Sequence, residues 1–232
     1  MVRQVVALIP ARGGSQGVPR KNLALVGVST LLERAFFSAS TSDRVHRTCI
    51  SSEDEEILAS ARSLGAVTVR RSQELAGDSS RAEGVVEHFL HSDAGSDLDV
   101  GDVIVYLQPT SPFRESRHVD EEVDLLLRSG SPSVVGVKVA TEYASKAFCL
   151  DEQEFLRSVG VKGDSTANRQ DLPVVHYPNG AIYAFTVGAF TERAGFPIIG
   201  AKAYLMDTIS SIDIDTMDDL RIARGVAEYA GI

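Results

Sequence analysis

The chain has 232 residues, 44% hydrophobic and 24% charged, the balance of a globular protein able to bury a real core. Its 23 Lys and Arg against 32 Asp and Glu leave a formal charge of −9, which excludes the basic footprint of a generic nucleic-acid binder. No apolar run approaches the roughly 18 residues that span a bilayer, and Cys49 and Cys149 stand far apart without metal-ligand spacing or a disulfide framework. A cytoplasmic protein with neither membrane nor nucleic acid as partner is the expectation.

Gln4–Ile9 is a short β-branched run ended by Pro10 and predicts a buried first strand rather than a leader peptide. The loop Pro10–Asn22, PARGGSQGVPRKN, follows. Glycines let backbone N–H groups approach phosphate oxygens, and Arg12, Arg20 and Lys21 can neutralise them. Gly13, Gly14 and Gly17 are followed by Pro19, so no helix starts where a GxGxxG dinucleotide fingerprint needs one. The GxxxxGK[ST] pattern is absent too, which leaves a long loop folded over a nucleoside triphosphate.

Thr30–Ser40 predicts a helix with Leu31, Leu32, Ala35 and Phe36 on one face. Arg47–Ser51 predicts a strand, Asp54–Leu64 a helix stopped by Gly65, and Ala66–Arg70 another strand. Arg81–His91 reads as a helix with Asp78-Ser79-Ser80 as its N-cap. Its His88 and His91 share a face but have no third metal ligand nearby. Asp102–Leu107 (DVIVYL) is the clearest strand, followed by a helix at Arg117–Leu127 and a strand at Ser133–Val139. This alternation predicts an α/β fold with a mostly parallel sheet and helices on both faces.

QPTSPFR, Gln108–Arg114, leaves the DVIVYL strand at its carboxyl end, where open α/β sheets bind ligands. Pro109 and Pro112 stiffen it, and Gln108, Thr110, Ser111 and Arg114 offer hydrogen bonds; the alternative is a rigid polar turn that caps the next helix. Thr141–Tyr177 is polar and irregular, an antiparallel excursion or a partner-binding arm. Strands are expected again at Ala181–Thr186, Gly200–Met206 and Ile212–Ile214, and a last helix near Met217–Tyr229. On a strand, Asp213 and Asp215 point the same way. Two adjacent carboxylates need solvent, a proton or a bridging cation, and hard oxygen ligands suit Mg²⁺. The alternative is that Asp215 or Thr216 caps the final helix.

IPARGGSQGVPRKN closely resembles the opening motif of the CMP-sugar-acid synthetases, the acylneuraminate cytidylyltransferases and their relatives. QPTSPFR, RQDLP (Arg169–Pro173), PNGAIY (Pro178–Tyr183) and SIDIDT (Ser211–Thr216) resemble the later motifs of that family, in the same order and at similar spacing. The resemblance implies a Rossmann-like nucleotidyltransferase of one domain over residues 1–232. About residues 140–178 would form a small inserted arm for dimerisation and acceptor binding. It implies a homodimer that moves CMP from CTP to a small acidic acceptor with loss of pyrophosphate, aided by Mg²⁺.

The resemblance also assigns residues. Arg12, Lys21, Asp213 and Asp215 would be catalytic, the two aspartates holding the metal. Ala11, Arg12, Gly13, Gly14, Ser15, Gln16, Lys21, Asn22, Arg71, Asp78, Pro109 and Thr110 would bind the nucleotide. Gln108, Ser111, Arg114, Lys146, Arg169, Asn179 and Tyr183 would face the acceptor. The departures are uneven. Gln16 stands where most of the family has lysine, and Ala82 where a small hydroxyl is seen in a relative. The residues before Lys146 and before Arg169 depart further. The expected acceptor is therefore not ordinary sialic acid but another nonulosonic acid, or a small non-sugar acid such as a phosphonate. A non-catalytic nucleotide-binding protein is the less favoured alternative.

Overall fold

The computed structural model describes residues 3–77, 80–143, 146–159 and 167–232, with Arg169 described by its backbone alone. Seven strands form the central sheet. They are β1 (Val5–Pro10), β4 (Arg47–Ser52), β5 (Val67–Arg70), β6 (Val103–Tyr106), β7 (Ser133–Val139), β10 (His176–Thr186) and β11 (Lys202–Leu205), in the spatial order β11-β7-β10-β6-β1-β4-β5. β1 pairs in parallel with β4 and β6, β4 with β5, and β7 with β11. Only β10 among them runs antiparallel, between β6 and β7. Two small hairpins complete the strands: β2 (Leu25–Val26) with β3 (Ser29–Thr30), and β8 (Phe148–Leu150) with β9 (Leu156–Ser158).

The central strands are apolar on both faces because helices cover both. Val5, Ala7 and Ile9 of β1 and Val103 and Val105 of β6 pack against α1 (Leu31–Ser40), α2 (Glu55–Ser63) and α4 (Ser116–Ser129). Their neighbours Val6, Leu8 and Ile104 turn to α3 (Ala82–Leu90) and α5 (Val187–Arg193). The period-2 alternation of a strand thus feeds two cores. A third cluster joins Val18 and Val26 to Leu220, Ala223 and Ala227 of α6 (Met217–Ala230), which seats the last helix against the glycine loop.

Three expectations are corrected. Ile212–Ile214 lies outside the sheet: the Ile214 N–H donates to the Thr110 carbonyl at 2.9 Å, and its carbonyl is taken by Lys21, so no ladder forms. β10 begins at His176 rather than Ala181; its first three residues are exposed, so periodicity did not mark them. Arg81, not Asp78-Ser79-Ser80, occupies the N-cap of α3, and its side chain makes no cap bond. Asp78 and Ser79 lie outside the described residues. Thr216 caps α6 in a reciprocal pair with Asp219, which leaves the Asp215 side chain free of that role.

Candidate nucleotide site

The carboxyl ends of β1, β4, β5 and β6 open on a cavity of about 440 Å³. Arg12, Lys21, Asp213 and Asp215 form a charged part of its lining, and Arg71, Leu75, Ala76, Val85 and Tyr106 line it too. Gln108, Pro109 and Thr110 also line it. A smaller space of about 290 Å³ adjoins the charged part, bounded by Arg12, Ser15, Gln16, Gly17, Lys21 and Asp215.

Local bonds hold the glycine loop in place. The Gly13 N–H donates to Glu53 Oε1 at 2.7 Å, and Asn22 Nδ2 donates to the Arg12 carbonyl at 2.8 Å. A Cβ at Gly17 would overlap the Asp215 carbonyl, so only glycine lets the loop meet the acidic segment. Gly14 has open space around it, and Ala11 is fully buried, with its N–H on the Ser51 carbonyl at 2.9 Å. Arg20 leaves the site: its guanidinium pairs with Asp54 and Glu56 on the outer side. Of the three loop cations, Arg12 and Lys21 reach the cavity.

Glu53, which sequence reasoning did not mark, supports residues of the cavity. Its Oε2 accepts from Arg71 Nη2 at 3.2 Å, and the two side chains are 6% and 3% exposed. One carboxylate therefore fixes both the loop and Arg71. The signal was available in the strand pairing: Ser52 of β4 lies opposite Arg70 of β5, so the next residue of each strand also meets. Arg81 and Tyr106 are further cavity residues that no motif marked.

The aspartates differ in environment. Asp215 is 74% exposed and accepts from Lys21 Nζ at 3.1 Å. Asp213 is mostly buried, and burial raises its carboxyl above the usual carboxylate range, while the Thr110 hydroxyl bond pulls it back and Asp215 adds to the rise. Its Oδ1 is buried without a hydrogen-bond partner. The described residues hold no cluster of three or more His, Cys, Asp or Glu able to bind a metal. Two carboxylates with phosphate oxygens completing the shell are the donor set of a Mg²⁺ site, and an unpartnered buried oxygen fits it. Gly180, at φ +77°, sits between the partners: a Cβ there would lie 3.0 Å from Gln108 Oε1 and 3.5 Å from Asp213 Oδ2.

The expected acceptor residues separate. Gln108 lines the cavity. Arg114 does not: it is 4% exposed, and its guanidinium donates to the carbonyls of Gln108 at 2.9 Å and Ala181 at 2.7 Å and to Ser38 Oγ at 3.0 Å. It ties the QPTSPFR loop to β10 from beneath. Burial pulls it down to about 9 and pushes its buried neighbour Glu122 well above the usual carboxylate range. Ser111 and Asn179 are buried as well, Asn179 Nδ2 donating to Ser211 Oγ at 3.0 Å. Tyr183 packs edge-on against Phe196 at 5.4 Å and Tyr106 at 6.5 Å, a core contact. Lys146 is partly exposed beside the β8–β9 hairpin, and the Arg169 side chain lies outside the description.

The cytidylyltransferase family model matches residues 6–220 of the chain. Over 238 aligned residues, 96% of its own length, the chain is 30% identical to the N-acylneuraminate cytidylyltransferase of Escherichia coli O18:K1:H7. It spans about half of that relative, 52%, and 51% of the corresponding protein of Streptococcus agalactiae serotype V. It is also 30% identical to the CMP-N,N'-diacetyllegionaminic acid synthase of Legionella pneumophila, over 97% of both chains. A solved CMP:2-keto-3-deoxy-manno-octonic acid synthetase complexed with CTP shares the fold, with a TM-score of 0.69 at 14% identity over 98% of this chain and 99% of that one.

Proposed function

This chain belongs to the cytidylyltransferase family, and we propose that it transfers CMP from CTP to a hydroxyl of a nonulosonic acid, releasing pyrophosphate. The observation that carries the reading is the charged part of the cavity, where Arg12 and Lys21 share the lining with Asp213 and its unpartnered Oδ1. The cations suit a polyphosphate, and a spare buried carboxylate oxygen in the same lining has no structural use.

The triphosphate lies along the glycine loop, its charge met by Arg12 and Lys21 and by the loop N–H groups. The base lies against the apolar lining, where Arg71 donates to a carbonyl acceptor such as that of cytosine. The acceptor hydroxyl oxygen attacks the α-phosphorus. A new P–O bond forms as the bond to the bridging oxygen of pyrophosphate breaks, and the hydroxyl proton leaves to solvent. Gln108, held by the Arg114 bond to its own carbonyl, orients the reacting groups beside bare Gly180. Asp213 and Asp215 would hold Mg²⁺, which supplies charge neutralisation on the phosphates and polarises the phosphorus.

The chain acts as a homodimer in the cytoplasm. Phe148, Leu150, Phe155 and Leu156 on the β8–β9 hairpin are 46–65% exposed, an apolar surface that a second copy would cover. Two free cysteines accord with a reducing compartment. Pyrophosphate release from CTP, with eight- and nine-carbon sugar acids as acceptors, tests the reading. Release with CTP and Mg²⁺, and none with ATP, GTP or UTP or after chelation, is expected. Equal release with all four nucleotides would overturn the assignment of CTP.

A further inference from the structure

β10 carries a bulge beside the nucleotide cavity. Between Pro178, opposite Val137, and Tyr183, opposite Val135, it spends four residues, 179–182, where β7 has Gly136 alone. A Cβ on Gly136 would lie 2.9 Å from Asn179 Oδ1 and 3.3 Å from the Ile182 carbonyl oxygen, so the bulge fills the space a side chain opposite it would take. Tyr183 also pairs with Tyr106, the last residue of β6, which sets the bulge next to the start of the loop that carries Gln108. Gly180, in the bulge at φ +77°, is the residue whose Cβ would meet Gln108 Oε1 and Asp213 Oδ2. A bulge of this kind re-aims the chain near an active site and disrupts the ladder in doing so.

Side chains replace ladder bonds here. The Ala181 N–H donates to Asn179 Oδ1 at 3.1 Å, and the Ala181 carbonyl accepts from Arg114 Nη1 at 2.7 Å. The same nitrogen donates to the Gln108 carbonyl at 2.9 Å, so it joins the loop to the bulge. Just past the bulge, the Ala184 N–H donates to Glu122 Oε1 at 3.2 Å. Glu122 stands in the middle of α4, is fully buried, and has an Oε2 with no hydrogen-bond partner among the described residues. A buried acid held by one hydrogen bond is an unfavourable way to stabilise a fold, since an apolar side chain of similar volume fills the same space at less cost. Its one bond goes to the strand that carries Gly180.

We infer that Glu122 is a positioning residue for the transfer step: from α4 it fixes β10 beyond the bulge while Arg114 fixes it within, and together they set Gly180 and Gln108 beside Asp213. The inference rests on the CMP-transfer reading. Being fully buried, Glu122 acts through the β10 backbone and not on the substrates. CTP binding depends on other parts of the site, the glycine loop and Arg71, so the effect falls on the reacting geometry.

The test uses the full chain with CTP, Mg²⁺ and a panel of nonulosonic acids, reading CMP conjugate by mass spectrometry and CTP affinity by calorimetry. Glu122→Leu fills the space but offers the Ala184 N–H no acceptor. It stays folded in thermal melts, loses about tenfold or more in kcat, and keeps its affinity for CTP within about twofold. Glu122→Gln, whose amide oxygen takes the Ala184 N–H, recovers most of the rate. Gly180→Ala puts a methyl group 3.0 Å from Gln108 Oε1 and gives the same split between kcat and CTP affinity. A Glu122→Leu protein with wild-type kcat overturns the inference and leaves the transfer reading standing. So does a loss of rate matched by an equal loss of CTP affinity, or one that Glu122→Gln does not recover. A Glu122→Leu chain that fails to fold makes the residue structural and overturns the inference too, unless Gly180→Ala and a folded Glu122→Ala both show the split. A wild type that forms no conjugate with any acceptor overturns the transfer reading itself, and this inference with it.

Discussion

Replacing Glu53 with alanine removes the carboxylate that holds both the glycine loop and Arg71. Its Oε1 takes the Gly13 N–H at 2.7 Å and its Oε2 takes Arg71 at 3.2 Å, with side chains 6% and 3% exposed. The substitution leaves a guanidinium buried without its anion, which costs about 3–5 kcal/mol. At roughly 2–4 °C per kcal/mol for a chain of this size, the melting temperature falls by about 6–20 °C. Glu53→Gln keeps an acceptor for the Gly13 N–H and loses only the charge, for a smaller loss of about 1–3 kcal/mol. Glu56→Ala is the control: that carboxylate is 72% exposed and pairs, among the described residues, with the exposed Arg20, so stability stays within about 0.5 kcal/mol. Urea unfolding followed by circular dichroism measures all three, and calorimetric titration with CTP measures the site. CTP affinity falls in Glu53→Ala more than in Glu53→Gln. A Glu53→Ala protein within 1 kcal/mol of wild type would refute the reasoning that this pair is buried and coupled to the loop.

Gly17→Ala puts a methyl group into the Asp215 carbonyl; the loop and the acidic segment must separate, and CTP binding weakens by about tenfold or more while Arg71 and the apolar lining are untouched. Competition with CMP, which lacks the outer phosphates, checks it: CMP affinity changes less than CTP affinity. Asp213→Asn abolishes transfer but raises the melting temperature of the ligand-free protein at pH 7. The sign follows from burial, which raises the folded-state pKa above the unfolded one. The native state then binds more protons than the unfolded chain, so wild-type stability declines as pH rises from the ordinary carboxylate value through the raised one. The variant lacks that decline, and thermal scans from pH 4 to 8 show it; a variant less stable than wild type throughout contradicts it. Glu122→Gln mimics the protonated form that burial favours and leaves stability nearly unchanged, whereas Arg114→Met, which strips the Gln108 and Ala181 carbonyls of their donor, costs about 2–4 kcal/mol in urea unfolding.

The central strands were legible because both faces of β1 and β6 are covered, so their sequences are nearly unbroken apolar runs. The outer half of β10 was not, since His176, Tyr177 and Pro178 face solvent and carry no period. The α5 helix hid for a related reason: its seven residues are too few for a helical stripe. SIDID has the alternation of a strand but no neighbour to pair with, and Lys21 and Thr110 take the groups a ladder would use. Arg12, Lys21, Asp213 and Asp215, which the sequence marks along two short segments, line one cavity, while Arg20 of the same loop pairs with Asp54 and Glu56 instead. Arg114 was assigned to the acceptor by resemblance alone, and the sequence did not show that three oxygen acceptors beneath the loop take its guanidinium. Glu53 was missed because its role depends on two strands lying side by side, which no single segment displays.

The most direct measurement is mass spectrometry of the product formed from CTP and a nonulosonic acid whose attacking hydroxyl carries ¹⁸O. The account predicts a CMP conjugate that retains the label in its new P–O bond, with unlabelled pyrophosphate released in equal amount. Unlabelled CMP with no conjugate would mean that water is the acceptor, and would contradict the claim that this site joins CMP to a sugar acid.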